Sequence, residues 1–377
     1  MDNISFQKSL RNVNQTEREG RGIAMNGLIQ ISKYAGMRND LAQAGGGNTS
    51  VKIDDQIMLV KSSGCQLADM SKDNGYMKVN YRLIAEYLEQ NTAAGELTEE
   101  EGKRLLVQAQ MEDGHASIET FLHAVTDKYT LHSHPTLVNI LTSRKGGRKE
   151  LQELFPEAVF VPYKKPGAAL AEACYRACRE QASGNHSQEV IFLENHGLVV
   201  SADTSEHVIE KTEEILRKIA DHLHISNRIY SSATRIWDMF LRIPKLQEMI
   251  VYPAQNQYLS WDYIGDGLVG PGLWNHAFCP DCVVYGSRKM LCLSDDFSRK
   301  DIVDFMDAYG APVLICYRKH IYIVAESVKK AQEIENVMSF GAQVQMANLG
   351  QEMNYLSESE QDELLNWDCE KYRRMMK

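Results

Sequence analysis

His132 and His134 stand one residue apart at the end of an alternating stretch, Asp127, Lys128, Tyr129, Thr130, Leu131, His132, Ser133, His134, that stops at Pro135. On a strand, a period of two points both imidazoles to one face, close enough to share a metal ion. A third imidazole, His196, comes 62 residues after His134 in the run Glu194, Asn195, His196, Gly197. Three neutral imidazoles with an open fourth position describe a catalytic rather than a structural zinc site. The chain carries its own control. His222 and His224 repeat the spacing within 204–224, where Val208, Ile209, Ile215, Leu216, Ile219 and Leu223 recur at helical spacing. Positions two apart on a helix face different directions, so this second pair reads as ordinary helix residues.

Ser117, Ile118, Glu119 and Thr120 open a predicted helix, which puts Glu119 in its first turn. Two readings are open there. One is an acid favoured by the helix macrodipole; the other is a general base beside a metal, whose charge keeps the carboxylate ionised until it takes a proton from a carbon acid. Only 13 residues separate Glu119 from His132, so the two can meet. Gly45, Gly46 and Gly47 precede Asn48, Thr49 and Ser50, a turn whose amides can converge on an anion. A second small-residue turn, Lys61, Ser62, Ser63, Gly64, adds a cation and two hydroxyls. Together they would cradle a phosphate, while either alone reads as a hairpin connection. Gly265, Gly267 and Gly270 also match GxGxxG, but Pro271 and Gly272 follow at once and no helical period begins before residue 299. A dinucleotide fingerprint needs a strand before it and a helix after it, so a nicotinamide enzyme is not expected.

These residues need elements to hold them. With 377 residues, 44% hydrophobic and 24% charged, the chain is globular and long enough for two domains. Residues 1–232 read as a mixed α/β catalytic domain, 233–258 as a connector broken by Pro244 and Pro253, and 259–377 as a smaller α/β domain. In the first, helices are expected around Gly27 to Tyr34, over Val79 to Gln90, Ser117 to Thr126, Leu170 to Ala182 and 204–224, the last capped by Asp203 or Thr204. Strands are expected at Ser50 to Ile53, Ile57 to Val60, the HxH stretch and Val190 to Leu193. In the small domain Cys282 to Tyr285, Lys289 to Leu293, Val313 to Tyr317 and His320 to Ala325 read as strands, and Arg299 to Tyr309, Val328 to Leu349 and Glu358 to Arg374 as helices.

A formal net charge of −10 argues against nucleic acid or an anionic membrane as partner, and leaves local basic residues needing a local purpose. The polar stretch Met1 to Gly22 has no apolar leader core and no run is long enough to span a bilayer, so the expected compartment is the cytoplasm. Eight cysteines are scattered without a small-domain disulfide pattern and read as reduced. Cys279 and Cys282 form a CxxC with no second pair to complete a four-thiolate site, and read as free thiols.

In this order, a glycine turn ending in Asn48, Ser63 with Gly64, the SxE of Ser117 to Glu119, HxHP at 132–135 and NHG at 195–197, the chain resembles the class II aldolase/adducin family over residues 23 to 225. The wording GGGNTSVK, LVKSSG, SIETFLHA and HSHP is similar to the aldolase portion of bifunctional rhamnulose-1-phosphate aldolase/short-chain dehydrogenase proteins. Residues 259–377 match the rest of that portion less specifically, and no dehydrogenase domain is expected after them. The resemblance implies an α/β/α sandwich around a central mixed sheet. It implies zinc, with another divalent ion as the alternative, on His132, His134 and His196, and Glu119 as an acid/base able to touch the metal when substrate is absent. It implies that Asn48, Ser63, Gly64 and Ser117 hold the phosphate of a small sugar phosphate, in a homotetramer with a neighbour's tyrosine acting on the substrate hydroxyl. Two departures weaken the phosphate assignment, Ile118 in place of a second serine and Gly45 in place of a threonine; Lys61 is the candidate to compensate.

The expected reaction is retro-aldol cleavage of a rhamnulose-1-phosphate or fuculose-1-phosphate type of ketose to dihydroxyacetone phosphate and a short aldehyde. Its rivals are an epimerase or dehydratase at the same metal site, or a non-catalytic adducin-like interaction protein.

Overall fold

The computed structural model describes residues 3–91, 98–181, 189–265, 276–286 and 289–366, with side chains from residue 20 onward except 91 and 181. The GxGxxG match beyond Gly265, Cys369 and the end of the helix expected to reach Arg374 lie outside these residues. The chain divides into two compact units, Met1–Asn227 and Arg228–Lys377.

In the first unit α1 (Asn3–Gly36) leads to β1 (Asn48–Lys52), β2 (Ile57–Lys61) and β3 (Tyr76–Asn80), then α2 (Tyr81–Asn91), α3 (Glu99–Ala109) and α4 (Thr120–Ala124). After β4 (Tyr129–Ser133) come α5 (Thr136–Thr142), α6 (Gly147–Leu154), β5 (Val159–Val161), α7 (Ala168–Gln181), β6 (Val190–Leu193), β7 (Gly197–Ala202) and α8 (Ser205–Leu223). The strands form one seven-stranded sheet in the order β3-β2-β1-β4-β7-β6-β5, mixed because only β5 and β6 run parallel. Helices cover it on both sides, the sandwich that the resemblance implied.

The two faces follow from the strand period. Thr49 turns to α1, its Oγ1 2.6 Å from Ser32 Oγ, while Ser50 turns to α4, its Oγ 2.8 Å from His123 Nδ1. On the α4 side Ile84 and Leu88 of α2, Phe121 and Leu122 of α4 and Leu170 of α7 pack on Ile191, Leu193 and Val199. Full burial of side chains of this size stabilises by about 1.5–3 kcal/mol each. His132 lies opposite both Asn48 and Val199 in the ladder, so these three share the α4 face. The sheet therefore decides which helix the metal-ligating candidates meet.

Two local readings differ in this unit. Val79 belongs to β3, and the helix expected from it begins at Tyr81. The helix expected from Ser117 is only Thr120–Ala124. Thr204 caps α8 as expected, accepting from the His207 N–H at 3.2 Å.

The second unit comprises α9 (Arg228–Phe240), β8 (Ile250–Pro253), a single turn α10 (Trp261–Ile264), α11 (Pro280–Gly286), β9 (Leu291–Leu293), α12 (Arg299–Tyr309), β10 (Leu314–Tyr317), β11 (His320–Ala325), α13 (Val328–Ala347) and α14 (Glu358–Asn366). Its sheet order is β8-β11-β10-β9. The segment 233–258, read as a connector, supplies most of α9, with Trp237 and Phe240 buried, and β8, which pairs with β11. Pro253 is admitted because β8 is an edge strand. Cys282–Tyr285, expected as a strand, is helical within α11. Pro280 at the helix start and burial of Cys282, Val283 and Gly286 reveal the helical period that a short apolar run conceals.

Candidate metal centre

β4 delivers His132 from within the sheet and releases His134 one residue past its end. Backbone beyond the strand is then caught by the turn after α1: the His134 N–H donates to Leu41 O and the Thr136 N–H to Asp40 O, both at 2.8 Å. That turn is itself pinned by a buried guanidinium. Arg38 donates to both carboxylate oxygens of Asp40 at 2.9 and 2.6 Å and also binds Glu213 of α8. His196 comes from the tight β6–β7 turn, where Asn195 adopts a positive φ of 51° that its short polar side chain tolerates. Gly197 is required there, since a Cβ at that position would sit 2.3 Å from Ser133 O. Gly46 has a similar reason, because a Cβ on it would lie 3.0 Å from His134 Nδ1. The glycine turn thus lets backbone close over the histidine ring.

The outcome is a single cluster among the described residues. Glu119, His132, His134 and His196 each offer a ligand atom, all within 4.8 Å of one another. His132 Nε2 lies 3.1 Å from His134 Nε2, 3.3 Å from His196 Nε2 and 3.3 Å from Glu119 Oε1; His196 Nε2 lies 3.9 Å from the same carboxylate oxygen. On the far side of its ring, His132 Nδ1–H donates to Leu198 O at 3.1 Å, which leaves the Nε2 lone pair facing the cluster. Two imidazole nitrogens bound to one tetrahedral zinc at about 2.0–2.1 Å lie about 3.3 Å apart. The spacing and the tautomer therefore fit a divalent ion. His222 and His224 stay outside the cluster: His222 bonds Glu150 at 2.9 Å and His224 is the left-handed cap of α8.

Electrostatics hold two of the three imidazoles in the neutral form that ligation requires. Burial, aided by repulsion from His132, brings His134 down to about 4, and burial with the same neighbour brings His196 down to about 4. Both rings are neutral at pH 7. Burial would lower His132 as well, but the Glu119 carboxylate outweighs it and holds this ring above its usual value. Burial pushes Glu119 up, and the adjacent His132, with His123 and His134, more than reverses that, so it is ionised.

Glu119 does not occupy a first helical turn. It stands just before α4, with φ −74° and ψ −7°, its N–H bonded to Ser117 Oγ at 3.3 Å. Asn48 opens β1 opposite His132, fully buried, with neither its Oδ1 nor its Nδ2 bonded among the described residues. Lys61 ends β2 with its Nζ 3.4 Å from Gly45 O, bringing the two small-residue turns together. Its ammonium is lowered by burial and partly restored by Glu119. Ser63 N–H donates to His115 O at 3.0 Å and Ser62 bridges Ala116, which sets the Ser63–Gly64 turn beside the backbone entering Ser117.

Sequence reasoning passed over His123 and Arg38. His123 is fully buried four residues after Glu119, its Nδ1 taken by Ser50 and its Nε2 without a partner among the described residues. The i,i+4 spacing was the available signal.

Residues 26–220, more than half of the chain, match the family model of the class II aldolase and adducin N-terminal domain. The chain belongs to that family. A Bacillus subtilis (strain 168) protein named uncharacterized oxidoreductase YuxG is 27% identical over 209 residues, 52% of this chain and 29% of that protein. The chain thus spans less than a third of that curated relative. Among solved structures, the N-terminal class II aldolase domain of a conserved Thermoplasma acidophilum protein is similar at TM-score 0.44 and 23% identity, covering 52% of this chain and 92% of that one. L-fuculose-1-phosphate aldolase from Thermus thermophilus follows at TM-score 0.36 and 17% identity, covering 58% and 98%. Class II aldolases use a divalent metal, and the His/Glu cluster of this chain can hold one. No helix among the described residues is long and apolar enough to cross a membrane.

Proposed function

We propose that the first unit is a zinc-dependent class II aldolase that cleaves a phosphorylated ketose of the rhamnulose-1-phosphate or fuculose-1-phosphate type into dihydroxyacetone phosphate and a short aldehyde. The observation that carries this reading is the convergence of three imidazole nitrogens on one carboxylate, with His132 held in the ligand tautomer by Leu198 O.

His132, His134 and His196 would hold the ion. When bound, zinc supplies a Lewis acid that draws negative charge onto the substrate's ketone and hydroxyl oxygens. Glu119, ionised at rest, handles the proton: in cleavage the proton leaving the C4 hydroxyl reaches its carboxylate as C3–C4 breaks and is passed on to C3, and in synthesis the carboxylate takes that proton from C3 and returns it to the C4 oxygen. Asn48, Ser63, Gly64, Ser117 and Lys61 bind the phosphate. Asn48 is suited to this by its two unpartnered amide atoms, since a buried polar group without a partner costs free energy until a ligand supplies one. The working form is a cytoplasmic homo-oligomer.

Incubation of the metal-loaded protein with a panel of ketose 1-phosphates, followed by assay for triose phosphate, tests the proposal. Release of dihydroxyacetone phosphate from one of them is expected. An epimerised or dehydrated product without triose phosphate would instead assign the same site to a neighbouring reaction.

A further inference from the structure

Four of the six residues Arg144, Lys145, Gly146, Gly147, Arg148 and Lys149 are basic, in a chain of net charge −10, and none belongs to the metal centre. Arg144, Lys145 and Arg148 rim a cavity of about 120 Å³, open to solvent on one side, whose apolar lining includes Leu151, Phe160 and Phe192. The two phenyl rings are buried and stacked, with centroids 5.2 Å apart and planes 15° apart. Arg144 is engaged by Glu150 at 3.2 Å. Lys145 and Arg148 are exposed and have no ion-pair partner among the described residues. Glu194, the one carboxylate among the described lining residues, accepts from the Tyr163 N–H at 3.0 Å and leaves the lining with three cations against one anion.

We propose that this cavity is a second ligand site, for a phosphate monoester carrying a flat apolar group. Two unpaired cations side by side match a dianion, and a guanidinium meets phosphate oxygens with a pair of parallel N–H donors. An apolar wall beneath a few charged groups is the usual composition of a small-molecule site, and it excludes a bare inorganic anion as the best fit. The net charge of the chain repels anions at long range, so the local cations must act at close quarters. The site is separate from the metal cluster yet shares backbone with it: Thr142 lines the cavity and its carbonyl accepts from the Asn195 N–H at 3.4 Å, one residue before His196.

Phenyl phosphate is the probe, titrated into the full chain by calorimetry and by saturation-transfer NMR. The unaltered protein is expected to show a binding event whose affinity falls at least tenfold in the double variant Lys145→Ala/Arg148→Ala, apart from any binding at the cradle beside the histidines. Binding persists in Lys145→Arg/Arg148→Lys and in Asn48→Ala, which alters the cradle beside the histidines instead. Both replaced cations are exposed, and thermal melts verify that the variants fold. Absence of binding at millimolar probe, an unchanged affinity in the double alanine variant, or loss in Asn48→Ala alone would each overturn the proposal.

Discussion

The two units place buried polar groups to different ends. In 228–377 some of them close on the backbone or on neighbouring rings, as Glu335 accepts the N–H groups of Gln255 and Asn256 at 2.5 and 2.8 Å and the half-buried Arg235 bonds the Tyr317 hydroxyl at 2.6 Å while lying over the Phe297 ring. Those left without a partner among the described residues, Ser232 Oγ and His320 Nε2, form no ligand cluster. In 1–227 Arg38, Asp40 and Glu213 also satisfy one another, but a second set converges on one point. His132, His134, His196 and Glu119 turn ligand atoms toward each other, and Asn48 beside them keeps both amide atoms unbonded among the described residues. Buried polarity by itself therefore does not mark a site. Convergence of groups that the fold leaves unsatisfied does.

The comparison breaks most sharply at His132, whose ring is fully buried between two other candidate ligands. His132→Ala should abolish stoichiometric metal retention after dialysis, measured by plasma emission, while the second unit melts as before. Full metal content in that variant would dissolve the contrast between the units. Glu119→Gln is next: metal content should stay near that of the unaltered protein while cleavage falls by about 10²–10⁴-fold, the usual contribution of a general acid/base. Unaltered exchange of the C3 proton would remove Glu119 from the chemistry.

A substitution in the other unit sharpens the same contrast. Trp237 is 2% exposed on α9, and Trp237→Ala should destabilise the second unit by about 3–5 kcal/mol, as large aromatic truncations in a core do. Urea unfolding followed by amide signals of each unit would register the loss. Metal stoichiometry should not change, and a parallel fall in metal content would show that the units do not act separately.

How much of this could be read from the chain depended on periodicity. β4 was readable because Tyr129 to Ser133 alternates, whereas the pairing of His132 with Asn48 appears only in the register of the sheet. β7 was not, because Gly197–Ala202 is buried on both sides and shows no alternation. β3 disappeared into the apolar pattern of the following helix through Val79. The candidate ligand set was visible in HxH and NHG, whereas the parts that aim it were not. Arg38 with Asp40 and Glu213, the Leu41 carbonyl on the His134 N–H, and Gly46 against the His134 ring all join residues far apart in sequence. Pairings of that kind leave no local signal, and neither does the placement of Glu119 just outside a helix rather than inside its first turn.

The smallest expected effect compares one non-ligand histidine from each unit. Burial lowers His123 in the first unit to about 3, against an upward pull from Glu119, and burial lowers His320 in the second to about 4. Unfolded, both return to about 6.5. Below that value the unfolded chain binds protons that the folded one refuses, so stability is complete above pH 6.5 and is lost as pH falls toward the folded values. Each such imidazole contributes a slope of up to about 1.4 kcal/mol per pH unit within its window. His320→Gln should therefore flatten the acid slope of the second unit between pH 6.5 and 4 in urea titrations, leaving that of the first unit unchanged. Equal slopes in variant and unaltered protein would mean that His320 takes up its proton without unfolding, and that its cavity is more polar than the packing around β11 implies.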